Sequence, residues 1–110
     1  MKEIDLEVFH DLSLNINLDG KRVGFIDAWE DEAVDRGIWI EYLYVVKWLR
    51  DSGIGTEAMK KAITRWRELG FLVITLDDIH WEKPEGFWRR LGFQGEGKRK
   101  RLVIQDASWL

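Results

Sequence analysis

Apolar residues at Leu12, Leu14, Ile16 and Leu18 alternate with Ser13, Asn15 and Asn17. That period of two predicts a half-buried strand. Asp19–Gly20 follows, and a second apolar run, "KRVGFIDAW", begins at Lys21. Asp-Gly accepts the positive φ of a tight turn, so the two runs are expected to form a hairpin. The acidic stretch from Glu30 to Arg36 reads as a loop. From Gly37 to Val46, "GIWIEYLYVV" is β-branched and aromatic at both parities, which predicts a central strand covered on both faces. The period then changes. Ile54, Ala58, Met59, Ala62, Ile63, Trp66 and Leu69 recur at steps of three and four and make one helical stripe, with Lys60, Lys61, Arg65, Arg67 and Glu68 opposite. Gly70 stands where a C-terminal glycine cap belongs. "FLVITL", Phe71 to Leu76, is a fourth strand. A short helix is expected over Pro84 to Leu91, with Pro84 in its first turn and Gly92 at its end. "KRKRLVIQ" is the last strand. Strand, helix, strand in succession implies a right-handed crossover, with strands 37–46 and 71–76 parallel. The expected fold class is α/β (α+β): a mixed, mostly antiparallel sheet with a βαβ core and two helices, as one domain over residues 1–110.

Composition narrows the picture. The chain is 45% hydrophobic and 34% charged, which suits a folded domain and not a disordered one. No apolar stretch approaches the roughly 20 residues of a membrane span. "MKEIDLEVFHD" carries acids within its apolar pattern and does not read as a secretory leader. With no cysteine, a disulfide scaffold, a thiol nucleophile and a Cys-ligated zinc site are excluded. A reducing, cytoplasmic location is the compatible expectation. The net charge of −3 gives no global attraction to nucleic acid. Seven tryptophans either fill the core of a small domain or line a ligand cleft or dimer face.

The stretch with the most chemistry is "RDSGIGTEAM", Arg50 to Met59. It joins the central strand to the helix. A helix start leaves four backbone N–H groups without intrahelical partners, and the dipole adds positive charge there. Gly53 and Gly55 let a ligand approach with no Cβ in the way. Thr56 offers a hydroxyl and Arg50 a charge. The spacing suits a pyrophosphate. It is not a Walker A loop, for it has no Gly-Lys-Ser/Thr, and position 58 is Ala where a dinucleotide fingerprint needs a third glycine. The alternative is a plain helix start capped by Asp51 or Ser52.

With these residues on the page, the sequence resembles the GNAT superfamily of N-acetyltransferases. That family's signature is Gln/Arg-x-x-Gly-x-Gly/Ala, between a strand ending in Leu-x-Val and a long helix. "YLYVVKWLRDSGIGTEAM" supplies Leu43, Val45, Arg50, Gly53 and Gly55 in that register. A second signature, an aromatic pair followed by Gly-Phe, is matched by Phe87, Trp88, Gly92 and Phe93. The resemblance covers roughly residues 12 to 105. It implies acetyl-CoA as cosubstrate. The backbone of Arg50, Asp51, Ser52, Gly53, Ile54 and Gly55, with Thr56, would hold the CoA pyrophosphate. The strand at Leu43, Tyr44 and Val45 would pair with the pantetheine arm and splay from strand 71–76, leaving a slot for the thioester. An amine would attack directly, with no acyl-enzyme.

The chain departs from the family pattern at several points. Trp88 stands where the family often has a proton-donating Tyr; an indole N–H is a poor acid, so Trp88 is expected only to pack against CoA. Trp81 stands where many members have Asn. Asp51 puts a negative charge beside the expected pyrophosphate. About eleven residues precede the Leu12 strand, where the family usually has a strand and two helices walling the acceptor site. That wall is expected to be missing or to come from a partner subunit, and a homodimer would cover a Trp-rich acceptor face. The acceptor is an amine on a small molecule or a protein. A non-catalytic module that binds CoA or an acyl-CoA, or a subunit of a larger assembly, is the rival reading.

Candidate catalytic residues are Glu41 and His80. By alternation Glu41 would share a face with Trp39, Leu43 and Val45, and an apolar setting would raise its pKa toward that of a general base. Otherwise it pairs with a neighbouring base. His80 ends "LDDIH" near the expected slot and would take a proton near neutral pH, or is an exposed loop residue. Asp77 and Asp78 either attract a cationic amine or are solvated. His10 stands alone, and two distant histidines give no metal-binding spacing. "GKRKR", Gly97 to Arg101, either binds nucleic acid or the 3′-phosphate of CoA, or is a solvated hairpin end.

Overall fold

The computed structural model, which describes residues 3–50, 52–79 and 86–110, is organised by one six-stranded sheet. Its spatial order follows the chain, β1 to β6. Only the β4–β5 pair is parallel; every other neighbouring pair is antiparallel. This is the mixed, mostly antiparallel sheet expected from the pattern.

The first strand, β1 (Ile4–His10), is an addition. It pairs with β2 (Ser13–Leu18) through the two-residue turn Asp11–Leu12, with Asp11 at φ 46°. Ile4, Leu6 and Val8 alternate with Asp5 and Glu7, the same period of two as in β2. Acids on the outward side of an edge strand also discourage pairing with other chains. The expected Asp19–Gly20 hairpin forms between β2 and β3 (Lys21–Asp31), with φ of 51° and 83° at the two turn residues. Both positive values match the twist of the flanking strands. β3 runs into the acidic stretch that the sequence assigned to a loop, as far as Asp31.

β4 (Gly37–Val45) is the central strand. α1 (Ile54–Glu68) buries Ile54, Ala58, Met59, Ala62, Ile63 and Trp66. Leu69, expected on the same stripe, is its C-cap and is exposed. Gly70, at φ 97°, ends the helix: its N–H reaches Arg67 O, and that of Phe71 reaches Trp66 O, both at 3.0 Å. β5 (Val73–Asp77) runs parallel to β4. α2 (Phe87–Arg90) is a single turn; the first turn expected at Pro84 lies outside the described residues. β6 (Arg99–Val103) closes the sheet. Among the described residues no helix is long and apolar enough to cross a membrane.

The helices cover one face of the sheet. The buried side chains of α1, with Trp88, Leu91 and Phe93, form one cluster with Leu14, Ile16, Ile26, Ile38, Ile40, Leu43, Ile74, Leu76 and Leu102. Cross-strand partners place Asn15, Phe25, Asp27, Trp29, Trp39, Tyr42, Tyr44, Thr75 and Arg101 on the opposite face. Among the described residues no helix covers that side, called the open face below.

Candidate active site

Between β4 and α1 the chain makes a 3-10 turn, Lys47–Leu49, and enters the helix at Gly53. Gly53 is the N-cap, at φ 84° and ψ −2°. In that left-handed region a Cβ costs roughly 1–2 kcal/mol. Its carbonyl accepts the N–H of Glu57 at 3.0 Å. The N–H groups of Ile54, Gly55 and Thr56 therefore precede the first intrahelical bond, and the positive end of the dipole lies with them. The capping expected of Ser52 does not occur. Among the described residues no side chain caps the helix, and Ser52 Oγ donates backward to Leu49 O. Asp51 lies outside the described residues. Arg50 ties the turn to the end of β4: its Nε donates to Val45 O at 3.0 Å, and its guanidinium sits 5.6 Å from the centre of the Tyr44 ring.

The two glycines of the turn differ. A Cβ added at Gly53 would meet nothing within 4 Å. At Gly55 it would touch the Phe87 ring at 3.5 Å and Val45 Cγ2 at 3.9 Å, ordinary van der Waals contacts. Nothing in the chain's own packing requires glycine at position 55.

Beside this turn, β4 and β5 part. Their ladder holds four pairs and ends at Ile40–Leu76, although β4 continues to Val45. β5 stays with β6 through Asp77–Arg99, and the Asp78 N–H still reaches Lys98 O. On its other edge β4 carries a bulge. Asp27 pairs with Tyr42 and Ala28 with Ile40, so Glu41 is the extra residue. Ser13 supports the bulge from β2: its Oγ accepts the Ala28 N–H at 3.0 Å and stands 3.0 Å from Asp27 Oδ1.

The bulge corrects the expected alternation. Ile38 and Ile40 are buried before it, and Leu43 and Val45 after it. Glu41 therefore does not share a face with Leu43 and Val45. It lies with Trp39 on the open face, exposed, and the apolar setting expected around it is absent. Trp39 Nε1 donates to Glu41 Oε2 at 2.8 Å, a partner the sequence reading missed although the two residues stand two apart. Beyond the bulge, Tyr44 and Tyr42 cluster with Phe25, with ring centres 5.6 and 5.9 Å from it.

The aromatic pair also divides. Trp88, expected against the cofactor, is 3% exposed in the core, edge-on to Phe87 and Phe93. Half-buried Phe87 is the ring that faces Gly55. His80 and Trp81 lie outside the described residues. Asp77 accepts from Arg99 Nε at 2.5 Å, and this bond, with the guanidinium's charge, holds its carboxyl below its ordinary value of 3.8. "GKRKR" is not a continuous patch. Lys100 is buried, with Nζ on the carbonyls of Gly95 and Gly97, while Arg99 and Arg101 are exposed on the open face.

Comparison with known proteins follows this geometry. Residues 2–93 match the family model described as "Acetyltransferase (GNAT) family". An N-acetyltransferase from Staphylococcus aureus Mu50 is similar at a TM-score of 0.70 and 15% identity, over 84% of this chain and 67% of that one. PaiA N-acetyltransferase from Thermoplasma acidophilum, in complex with coenzyme A, is similar at 0.64 and 21% identity, over 82% and 57%. A GNAT family acetyltransferase from Brucella melitensis, in complex with acetyl-CoA, is similar at 0.63 and 21% identity, over 83% and 56%. At these identities the likeness is one of fold, and the chain spans little more than half of the last two. No curated protein matches the sequence.

Proposed function

Because the chain belongs to the acetyltransferase (GNAT) family, we propose that it moves an acetyl group from acetyl-CoA to an amine by direct attack. The observation that carries this reading is the parting of β4 from β5 after Ile40–Leu76, beside a helix that starts at a left-handed glycine. The N–H groups of Ile54, Gly55 and Thr56, and the Thr56 hydroxyl, are the donors proposed for the CoA pyrophosphate. Arg50 keeps that turn on the end of β4. The thioester arm lies along Leu43, Tyr44 and Val45. CoA bound in two of the similar structures supports the choice of cosubstrate.

The amine nitrogen attacks the thioester carbonyl carbon, forming C–N as C–S breaks. The electron pair leaves on sulfur. Glu41 takes the amine's proton, and the thiolate is protonated from water. Trp39 holds the Glu41 carboxylate toward the open face. Trp88, buried and with an indole N–H, has no part in the proton transfer.

Calorimetric titration with acetyl-CoA and with CoA tests the cradle. Micromolar binding is expected for the native chain and none for Gly53→Glu, which puts bulk and negative charge at the nest. Equal binding by both would place the phosphates elsewhere. Glu41→Gln should lower kcat about 10²–10⁴-fold and leave acetyl-CoA affinity unchanged; unchanged turnover would remove Glu41 as base. The tight Asp11–Leu12 turn, in keeping with the missing acceptor wall expected from the sequence, favours the rival reading of a CoA-binding module without turnover. Binding without acetylation of any amine would select it.

A further inference from the structure

Where β4 and β5 part, three strands present a row of directly opposed residues on the open face. Trp39 pairs with Thr75, and Thr75 with Arg101. Neighbouring strands stand about 4.8 Å apart, so Trp39 and Arg101 flank a trough roughly 10 Å across. Its floor is Thr75, a short side chain that is 9% exposed. One row further along, Arg99 reaches over the trough. Its guanidinium lies 5.2 Å from the centre of the Trp39 ring, and its Nε is held by Asp77. The contacts Glu41–Trp39–Arg99–Asp77 thus bridge the parted strands.

Charge on this face is polarised across the trough. The β3–β4 side carries Asp27 and Glu41, and a cleft of about 510 Å³ beside Trp29 and Trp39 is lined by Glu30, Asp31 and Glu32. The β6 side carries Arg99 and Arg101, which border a cleft of about 680 Å³ with Gln94, Ser108 and a single acid, Asp106. Lys100 between them is turned inward onto backbone carbonyls. Arg101 is exposed and makes no side-chain hydrogen bond or ion pair among the described residues, whereas Arg99 is held through its Nε by Asp77 and through its guanidinium by the Trp39 ring. Residues i and i+2 of a strand have Cα atoms about 7 Å apart on one face, and an Arg fork matches the two oxygens of a carboxylate.

We propose that the acceptor is a zwitterion of the amino-acid type: a primary amine and a carboxylate on one small molecule. The amine lies at Glu41 and the carboxylate at Arg101, with the terminal amino groups of Arg99 above it. A diamine would bring a second cation against Arg101, and a simple monoamine would leave the Arg101 fork without a carboxylate, Arg99 already being held by Asp77. The substrate class rests on the acetyl-transfer reading above.

Initial rates at saturating acetyl-CoA test it with three acceptors of one chain length: L-norleucine, pentylamine and 1,5-diaminopentane. The expected order of kcat/KM places norleucine at least about tenfold above pentylamine, the size of one charge-assisted hydrogen bond, with the diamine last. Arg101→Gln should raise KM for norleucine about tenfold, leave kcat and acetyl-CoA affinity in place, and leave pentylamine unchanged; Arg101→Lys should restore part of the loss. A preference for the diamine, equal rates for norleucine and pentylamine, or an equal loss on all three in Arg101→Gln would overturn the proposal. If no acceptor is acetylated, acetyl transfer fails on its own account. The class is then read from the Trp39 indole N–H resonance in titrations of the CoA-loaded protein. A shift with norleucine and none with pentylamine supports it, and no shift with norleucine overturns it.

Discussion

The two faces of the sheet are made by the same strands and obey different rules. On the helix-covered face nearly every strand position is aliphatic, and Leu14, Ile16, Ile26, Ile38 and Ile74 are at 0% exposure. Lys100 is the buried charge among the described residues, and its ammonium is satisfied by two carbonyls. On the open face the same strands carry aromatic rings, carboxylates and arginines. One residue decides which side of β4 faces which. Without the bulge at Glu41, strict alternation would put Leu43 and Val45 outward with Glu41. With it, Glu41 turns outward at the point where the β4–β5 ladder ends. A fault in the packing rule thus coincides with the place proposed for chemistry.

The comparison breaks most visibly on tryptophan. Trp66 is at 0% exposure in the core and Trp29 is 44% exposed on the open face. Trp66→Ala should cost about 3–5 kcal/mol by urea unfolding, a large part of the roughly 5–15 kcal/mol that holds such a domain. Trp29→Ala should stay within about 1 kcal/mol and leave the unfolding transition cooperative. Equal losses at the two sites would mean that something packs on the open face and that it is not open in solution.

A smaller effect of mixed sign is expected at Gly55. Since a Cβ there meets only ordinary contacts, Gly55→Ala should raise stability by up to about 1 kcal/mol through helix propensity. If CoA phosphate approaches that backbone, the same methyl should weaken CoA binding about tenfold, near 1.4 kcal/mol. Thermal unfolding and calorimetry on one sample separate the two. A gain in stability with unchanged CoA affinity would make Gly55 part of a plain helix start.

Much of the covered face was legible in the sequence, because its signals are local and periodic. The α1 stripe, the Gly70 cap, the Asp19–Gly20 hairpin and the parallel β4–β5 pair each follow from spacing. The open face was not, because its features depend on register. A bulge leaves no mark in "IWIEYLYV", so alternation groups Glu41 with Leu43 and Val45 as well as with Trp39, and only Trp39 shares its face. Ser13 supports that bulge from fourteen residues away, a partner no local window contains. β1 did carry a signal, Ile4-Asp5-Leu6-Glu7-Val8, weaker than that of β2 only because its outward residues are acids and it forms an edge. Of the aromatic pair, the motif singled out both rings without distinguishing them. Which ring points at Gly55 is set by the orientation of a single helical turn, and it is that of Phe87.

The least effect is expected from the ion pair that crosses the open face, and its value lies in its sign. Arg99 holds the Asp77 carboxyl below its ordinary 3.8, so the folded form keeps this carboxylate ionised to lower pH than the unfolded chain does. A depressed carboxyl contributes stability above the unfolded pKa and loses it as pH falls through the folded one. From neutral pH to about 4 the contribution should be flat, and below about 4 it should decline. Asp77→Asn removes the group that titrates, so its stability should fall less steeply than that of the native chain below pH 4, with little difference at pH 7, where Arg99 is largely solvated. Parallel acid limbs for the two proteins would mean that Asp77 and Arg99 do not meet in solution. Arg99 would then stand free of Asp77 beside Arg101, and the bridge from Glu41 across the parted strands would end at Trp39.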